Sequence, residues 1–264
     1  MTARPTLGAS RCDGLRWRLN RRGSFKLSDA EHGPIGLGGR KARAIVGYLA
    51  VHADQRVARD VFIELLWPDR SRSHARGSLR QCLLEIRRAA PGLISSDGAH
   101  LWLEAKQVTL DGPQENARAS ELFDDLNGIS PPFDDWLRCE RAAEAGHEWL
   151  ELERAVDDIL SRADGGKALP LIERMHRIDP YNDDWVRLAM RAQCQLGHPA
   201  GIVRCFNEFV DCLNSDLGVL PATETRSLRD HLLNELTVKG PEQDCWGGMN
   251  FASQIPLVRL YAFG

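Results

Sequence analysis

SHARGSLRQCLLEIRRAA, residues 73–90, is followed at once by Pro91-Gly92. Leu79, Leu83, Ile86 and Ala90 recur at steps of four, three and four, so a helix gathers them in one narrow sector and leaves its opposite side free. That free side carries His74, Gly77, Gln81 and Arg88, flanked by Arg76, Arg80 and Arg87. Pro91-Gly92 stops the helix, and residues 93–96, Asp97-Gly98-Ala99 and residues 100–104 read as strand, turn and strand. A helix with an apolar seam and a basic outer face, followed directly by a hairpin, is what a winged helix needs. It can then set one helix in a major groove and a wing on the adjacent backbone.

Upstream, Leu15, Trp17 and Leu19 alternate with Arg16, Arg18 and Asn20, the period-two signature of a half-buried strand. Short apolar pieces at 25–27 and 35–37 extend this to a small antiparallel sheet. After Gly38-Gly39, the positions Ala42, Ile45, Val46, Leu49 and Ala50 fall on one face of a helix. A second helix is predicted from about residue 58 to 66, with Val61, Phe62, Leu65 and Leu66 inward. Trp67-Pro68 ends it, because proline disfavours helix in the residue before it.

Downstream, residues 112–118 read as a polar linker and 128–132 as a second break. From 136 to 236 the pattern is helical, interrupted at Gly165-Gly166, Asp179-Pro180, Gly197-His198-Pro199 and 217–221. Helices near 168, 185 and 200 keep the helix-turn-helix cadence and the roughly 34-residue period of tetratricopeptide repeats. Such repeats stack into a concave surface for a partner. The expected organisation is therefore a domain at 14–111, a helical domain at 119–236 and a tail at 237–264. The tail's apolar run at 255–263 reads as a docking strand or as the first strand of a further domain.

Charge separates the same two halves. Residues 1–111 hold 19 Lys and Arg against 11 Asp and Glu, net +8, while 112–264 hold 15 against 26, net −11. That asymmetry predicts a polyanion partner for the first half and an acidic regulatory half behind it. The seven cysteines, at 12, 82, 139, 194, 205, 212 and 245, are odd in number and form no C-x-x-C pair, which predicts reduced structural thiols. No run approaches the roughly 18 apolar residues of a membrane span, and residues 1–12 lack the apolar centre of a secretory signal. A cytoplasmic location without membrane contact is expected.

Several chemistries lack their residues. The segment 36–41 misses the phosphate-loop spacing, and Ala42 follows Lys41 where a magnesium-binding hydroxyl belongs. The eight histidines contain no H-x-x-x-H pair, and the paired carboxylates lie in an acidic helical region where solvated faces are the rule. No catalytic residue, metal or cofactor is expected. Trp136, Trp149 and Trp185, at helical spacing, read as core.

The segments Leu37-Gly38-Gly39-Arg40-Lys41-Ala42-Arg43-Ala44, Val57-Ala58-Arg59-Asp60, Leu66-Trp67, Ala75-Arg76-Gly77-Ser78-Leu79-Arg80-Gln81 and Ile86-Arg87-Arg88 resemble OmpR-type winged-helix effector domains. The likeness is closest to those of the SARP (antibiotic regulatory protein) family. Phe133-Asp134-Asp135-Trp136-Leu137-Arg138-Cys139-Glu140-Arg141, Asp179-Pro180, Leu217-Gly218-Val219 and Pro221-Ala222-Thr223-Glu224-Thr225 resemble the bacterial transcriptional activator domain that accompanies it. The resemblance spans roughly residues 14–236. It implies a mainly α protein, with an N-terminal winged helix-turn-helix (α+β) followed by an all-α tetratricopeptide-like domain. It also implies sequence-specific binding to double-stranded promoter DNA and activation through RNA polymerase, with a homodimer left open.

On that picture Arg76, Arg80, Gln81, Arg87 and Arg88 meet DNA. Gln81 and Arg80 are the base readers, since Gln pairs adenine and Arg guanine in bidentate fashion, and the flanking arginines neutralise phosphates. Arg59, at a helix N-terminus, and His100, in the wing, touch the backbone. Three residues depart from the resemblance. Glu85, facing the groove, would repel phosphate or else demand a cytosine amino group; Ala58 removes an N-cap oxygen whose loss costs about 0.5–2 kcal/mol; Leu84 adds an exposed apolar group for a thymine methyl or for a protein. Glu85, Leu84 and the acidic second half motivate an alternative, a protein-interaction scaffold that has lost DNA binding, which the salt dependence of DNA affinity discriminates.

Overall fold

The computed structural model describes residues 15–53, 55–111 and 121–238. The linker at 112–118, the apolar run at 255–263, Cys12 and Cys245 lie outside the described residues. The chain divides into two compact units, Met1–Glu151 and Leu152–Gly264.

In the first unit, strands β1 (Trp17–Asn20), β2 (Lys26–Asp29) and β3 (Gly33–Ile35) precede three helices, α1 (Arg40–Val51), α2 (Arg59–Leu66) and α3 (Arg72–Ala89). A short strand β4 (Val57–Ala58) stands before α2, and a hairpin of β5 (Ile94–Ser96) and β6 (His100–Leu103) follows α3, pairing in the order β4-β6-β5. A final strand, β7 (Val108–Asp111), completes the first sheet in the order β3-β2-β1-β7. The sheet is therefore mixed rather than antiparallel: β7 runs parallel to β1, with Trp17 opposite Val108 and Leu19 opposite Leu110. Val-Thr-Leu-Asp carries two apolar residues and runs straight into a polar segment, too little for a period-two signal. At the other end of the pattern Leu15 is exposed, so the buried alternation begins at Trp17.

The core is the one the periodicity marks. Trp17 and Leu19 share one buried cluster with Ile45, Val46 and Leu49 of α1 and Leu79, Leu83 and Ile86 of α3. In α2, Ile63 is buried with Phe62 and Leu66, while Val61 and Leu65 are half-buried. Leu122, Phe123, Leu126, Phe133 and Leu137 belong to this core as well. Phe133 and Leu137 sit on α4 (Pro131–Ser161), which begins here. Phe123 is fully buried at φ 46°, a left-handed backbone that a bulky residue adopts only when held. Its ring lies on Gly47 of α1, where a Cβ would stand 3.1 Å away. Its N–H donates to the Arg21 carbonyl at 3.0 Å. Arg141 clamps the same turn, donating to the carbonyls of Leu122 (2.8 Å) and Phe123 (3.1 Å) and to Asn127 Oδ1 (2.9 Å).

The second unit contains α5 (Gly165–Ile178), α6 (Asp183–Gln195), α7 (Pro199–Leu217) and α8 (Thr223–Val238). The starts of α5 and α7, at 165 and 199, are 34 residues apart, the repeat expected from sequence. Gly165 allows α5 to approach α6, since a Cβ there would run into the Ala192 carbonyl. Asn182 caps α6, accepting the Asp184 N–H at 2.9 Å. Trp185 is buried and meets Phe209 edge-on at 5.5 Å, whereas Trp136 and Trp149 are half-buried. The five cysteines among the described residues are free thiols, and burial pushes Cys82 and Cys205 above the usual thiol range.

Two outcomes follow from this packing. Phe123→Ala should destabilise the first unit by about 3–5 kcal/mol in denaturant unfolding, the range for truncating a buried phenylalanine. Asp29 accepts N–H bonds from Glu31 (2.9 Å) and His32 (3.3 Å) and the Arg16 guanidinium (3.3 Å), with the Glu31 bond foremost in lowering its pKa from 3.8 to about 2. Its folded-state pKa is depressed, so its stabilisation is complete above pH 4 and is lost as pH falls towards 2. Asp29→Asn should flatten the acid limb of a melting-temperature profile in that window.

Candidate nucleic-acid interface

Helix α3 buries Ala75, Leu79, Leu83 and Ile86 and exposes His74, Arg76, Arg80, Gln81, Leu84, Arg87 and Arg88. Its position is set by α1. Glu85 does not face outward: its Oε1 accepts the Gly39 N–H at 2.8 Å, at the N-cap of α1. The carboxylate satisfies a donor that the helix start leaves open and complements the positive end of the α1 dipole. Gly38 and Gly39 make room for it, since a Cβ on Gly38 would stand 3.0 Å from Glu85 Oε1. The expected repulsion of phosphate by Glu85 is thereby corrected. Glu85 lies between the seam and the outer face, where helical angle alone does not decide which side it takes.

The other residues of 37–44 are structural too. Lys41 Nζ donates to the Leu66 carbonyl and stands 4.8 Å from the Trp67 ring, and partial burial lowers its pKa. Arg40 donates to the carbonyls of Asp125 and Asn127, and Arg43 to Asp125 Oδ2 at 2.9 Å. This glycine-rich, lysine-bearing segment ties α1 to α2, α3 and the 124–127 turn.

The wing does for α2 what Ala58 cannot. Ala58 makes no side-chain cap, but the Arg59 N–H donates to the Ala99 carbonyl at 2.9 Å, and β4 pairs Val57 with Leu101 and Ala58 with His100. Asp97 Oδ1 fixes the wing turn by accepting the N–H groups of Ala99 (2.8 Å) and His100 (2.7 Å), which lowers its pKa.

Between α2, α3 and this turn lies a cleft of about 580 Å³ lined by Arg59, Asp60, Arg76, Arg80, Gly98 and Ala99, among others. Arg59 Nη2 reaches the Asp97 carbonyl at 3.3 Å, while its Nε is buried without a partner. Arg76 lies 3.7 Å from Asp60 Oδ1, and Arg80 Nε donates to the Arg76 carbonyl at 3.4 Å. Arg87 donates to Ser96 Oγ at 2.6 Å, and His100 Nδ1 lies 3.3 Å from Asp97 Oδ1. Arg59, Arg76, Arg80, Arg87 and His100 thus line the wing side. Gln81 and Arg88 stand apart on the open face with His74, two helical turns between successive members.

One cation was not foreseen. The Arg56 guanidinium lies 4.4 Å over Trp102 and 3.6 Å from Asp97 Oδ2, and it is exposed at the wing. Only the β4–β6 pairing brings Arg56 and Trp102 together. No His, Cys, Asp and Glu grouping among the described residues could hold a metal ion, and none of their helices is long and apolar enough to cross a membrane.

A three-helix core with a C-terminal wing and an arginine-bearing third helix, followed by stacked helices of 34-residue period, defines the winged-helix, helical-repeat class of protein. Residues 119–233 match the model of the bacterial transcriptional activator domain. The fold is similar to that of Mycobacterium tuberculosis EmbR, solved in complex with a low affinity phosphopeptide. The TM-score is 0.65 and the identity 15%, over 83% of this chain and 65% of that one. No curated protein matches the sequence significantly. Residues 119–233 thus carry a bacterial transcriptional activator domain, and the fold is the one the resemblance implies, a winged helix followed by a helical domain.

Glu85→Ala should cost about 1.5–3 kcal/mol in denaturant unfolding, the worth of a hydrogen bond to a charged group, with Glu85→Gln retaining part of it. An unchanged stability together with tighter DNA binding would instead mean a groove-facing carboxylate.

Proposed function

We propose that this chain is a sequence-specific DNA-binding transcription regulator, an activator that contacts RNA polymerase at promoters. One observation carries the reading: arginines of α2 and α3 converge on the wing cleft while Gln81 and Arg88 stand on the open face of the same helix. Arg59, Arg76, Arg80 and Arg87 neutralise phosphates, joined by His100 and Arg56 at the wing. Gln81 and Arg88 read base edges. This shifts Arg80 from base reader to the backbone group, because it shares the wing side with Arg76. The activator part, with RNA polymerase as partner, rests on the family of residues 119–233. On this reading the protein works in the cytoplasm without catalysis or a cofactor.

The scaffold alternative keeps two supports, the net charge of −11 over 112–264 and Leu84, which is 42% exposed on the outer face of α3. It loses Glu85, which is occupied at α1.

The test is binding to the DNA upstream of the chain's own gene at two salt concentrations. Wild type should bind with log K falling steeply against log salt, and each of Arg59→Ala, Arg76→Ala and Arg80→Ala should weaken all sequences alike and reduce the slope by about 1. Gln81→Ala or Arg88→Ala should cost about 1–3 kcal/mol on the specific site and relax its sequence preference. An Arg80→Ala/Arg88→Ala variant should lose specific binding. No binding by wild type even at low salt would favour the scaffold.

A further inference from the structure

Among the described residues ten large hydrophobic side chains are exposed, and four of them, Tyr181, Leu217, Val219 and Leu220, lie at one end of the second unit. Leu220 is 70% exposed. The segment that carries them is held at both ends. Tyr181 donates its hydroxyl to Asp216 Oδ2 at 3.1 Å. Asp183 Oδ1 accepts the Ala222 N–H at 3.2 Å and the hydroxyl of fully buried Thr225. Gly218, at φ 66°, closes α7 with its N–H on the Asn214 carbonyl, and the Val219 N–H turns back to Leu213 at 3.4 Å. The backbone is fixed while three aliphatic side chains stay in water, where a collapsed loop would bury them. Large apolar side chains left exposed close together in sequence on a fixed frame point to a contact site.

The rim says what kind of partner fits. Asp179, Asp216 and Glu224 border the patch with Asp183 and Asp184. Of the nearby cations Arg187 is neutralised by Asp184 at 2.6 Å and Arg226 donates to the Thr223 hydroxyl at 3.1 Å and keeps its charge, so Asp179, Asp216 and Glu224 carry the acidic excess. Asp216 occupies the last turn of α7, which has no basic residue, so it adds negative charge to the negative end of the helix dipole. The 112–264 half is net −11.

We infer that the end of the second unit formed by Tyr181 and the Leu217–Leu220 loop docks a basic amphipathic segment of another protein, its aliphatic face on Leu217, Val219 and Leu220 and its Lys and Arg on the carboxylate rim. The inference does not depend on the DNA reading, because every residue it uses lies in Leu152–Gly264.

The experiment uses the full chain and a labelled synthetic helix of about 18 residues, five turns, with leucine on one face and lysine on the other. A twin carries glutamate for lysine. Fluorescence anisotropy should show binding of the lysine peptide, weakening with salt, and none of the twin. Leu217→Ser/Leu220→Ser should weaken it by about tenfold or more, as expected for truncated contact centres. Asp216→Asn should weaken it less and reduce the salt dependence, and Leu150→Ser, an exposed leucine elsewhere, should bind as wild type. All four side chains are exposed, so melting temperatures should hold. Equal binding by wild type and the double serine variant, or binding of the glutamate twin, would overturn the proposal. So would a wild-type dimer in sedimentation velocity that the double variant dissociates, since the occupant would then be a second copy.

Discussion

The hydrogen bond from the Gly39 N–H to Glu85 ties α3 to the start of α1 and so decides where that helix points. Helix α3 has a seam of four buried residues, which fixes the face it turns inward but leaves its axis free to tilt on α1. One polar tie at the α1 N-terminus removes that freedom, because it fixes a point outside the seam. A Cβ at 38 would stand 3.0 Å from Glu85 Oε1, so glycine there leaves room for the tie, and Glu85 serves the helix start that a serine or aspartate would ordinarily cap. Lys41 on the Leu66 carbonyl does the corresponding work for α2. The orientation of both helices is thus referred to one turn of α1.

The family boundary and the packing boundary do not coincide. The activator-domain match begins at 119, yet Phe123, Phe133 and Leu137 are fully buried in the core of the winged-helix unit, which extends to Glu151. Phe123 on Gly47 and Arg141 across the 122–127 turn account for the difference. Without Phe123, α1 would expose the surface around its only interior glycine. The FDDWLRCER stretch that carries part of the family resemblance has a packing explanation: Phe133 and Leu137 point inward, Trp136 stacks on Tyr48 at 4.5 Å, and Arg141 clamps the turn.

Periodicity made the three helices, the wing and the repeat helices legible in the sequence, since each presents a run longer than one turn or two strands around a turn. What it missed depends on partners far along the chain. β7 is a strand because β1 lies beside it, ninety residues earlier in sequence. Glu85 faces inward because Gly39 offers an N–H, and Ala58 needs no hydroxyl because Ala99 supplies a carbonyl. Arg56 joins the wing because Trp102 faces it. In the candidate site the sequence yields which residues are exposed and basic. The division between wing side and open face comes from the neighbours of α3.

Those neighbours also explain why the arginines can act as a prepared surface. Arg76 with Asp60 and Arg56 with Asp97 are solvent-exposed pairs at 3.7 and 3.6 Å. Exposed pairs contribute between about zero and 1 kcal/mol, so a phosphate can displace the carboxylate at small cost. While unbound, the pairs hold long side chains near the cleft and lower the ordering entropy that binding would otherwise lose. Glu85 is different in kind: it is half-buried, its partner is a backbone donor, and losing that partner leaves an uncompensated polar group at a helix start. The unit therefore combines weak, exchangeable pairs at the cleft, as the proposed DNA binding requires, with a strong tie at the start of α1 where geometry must not change.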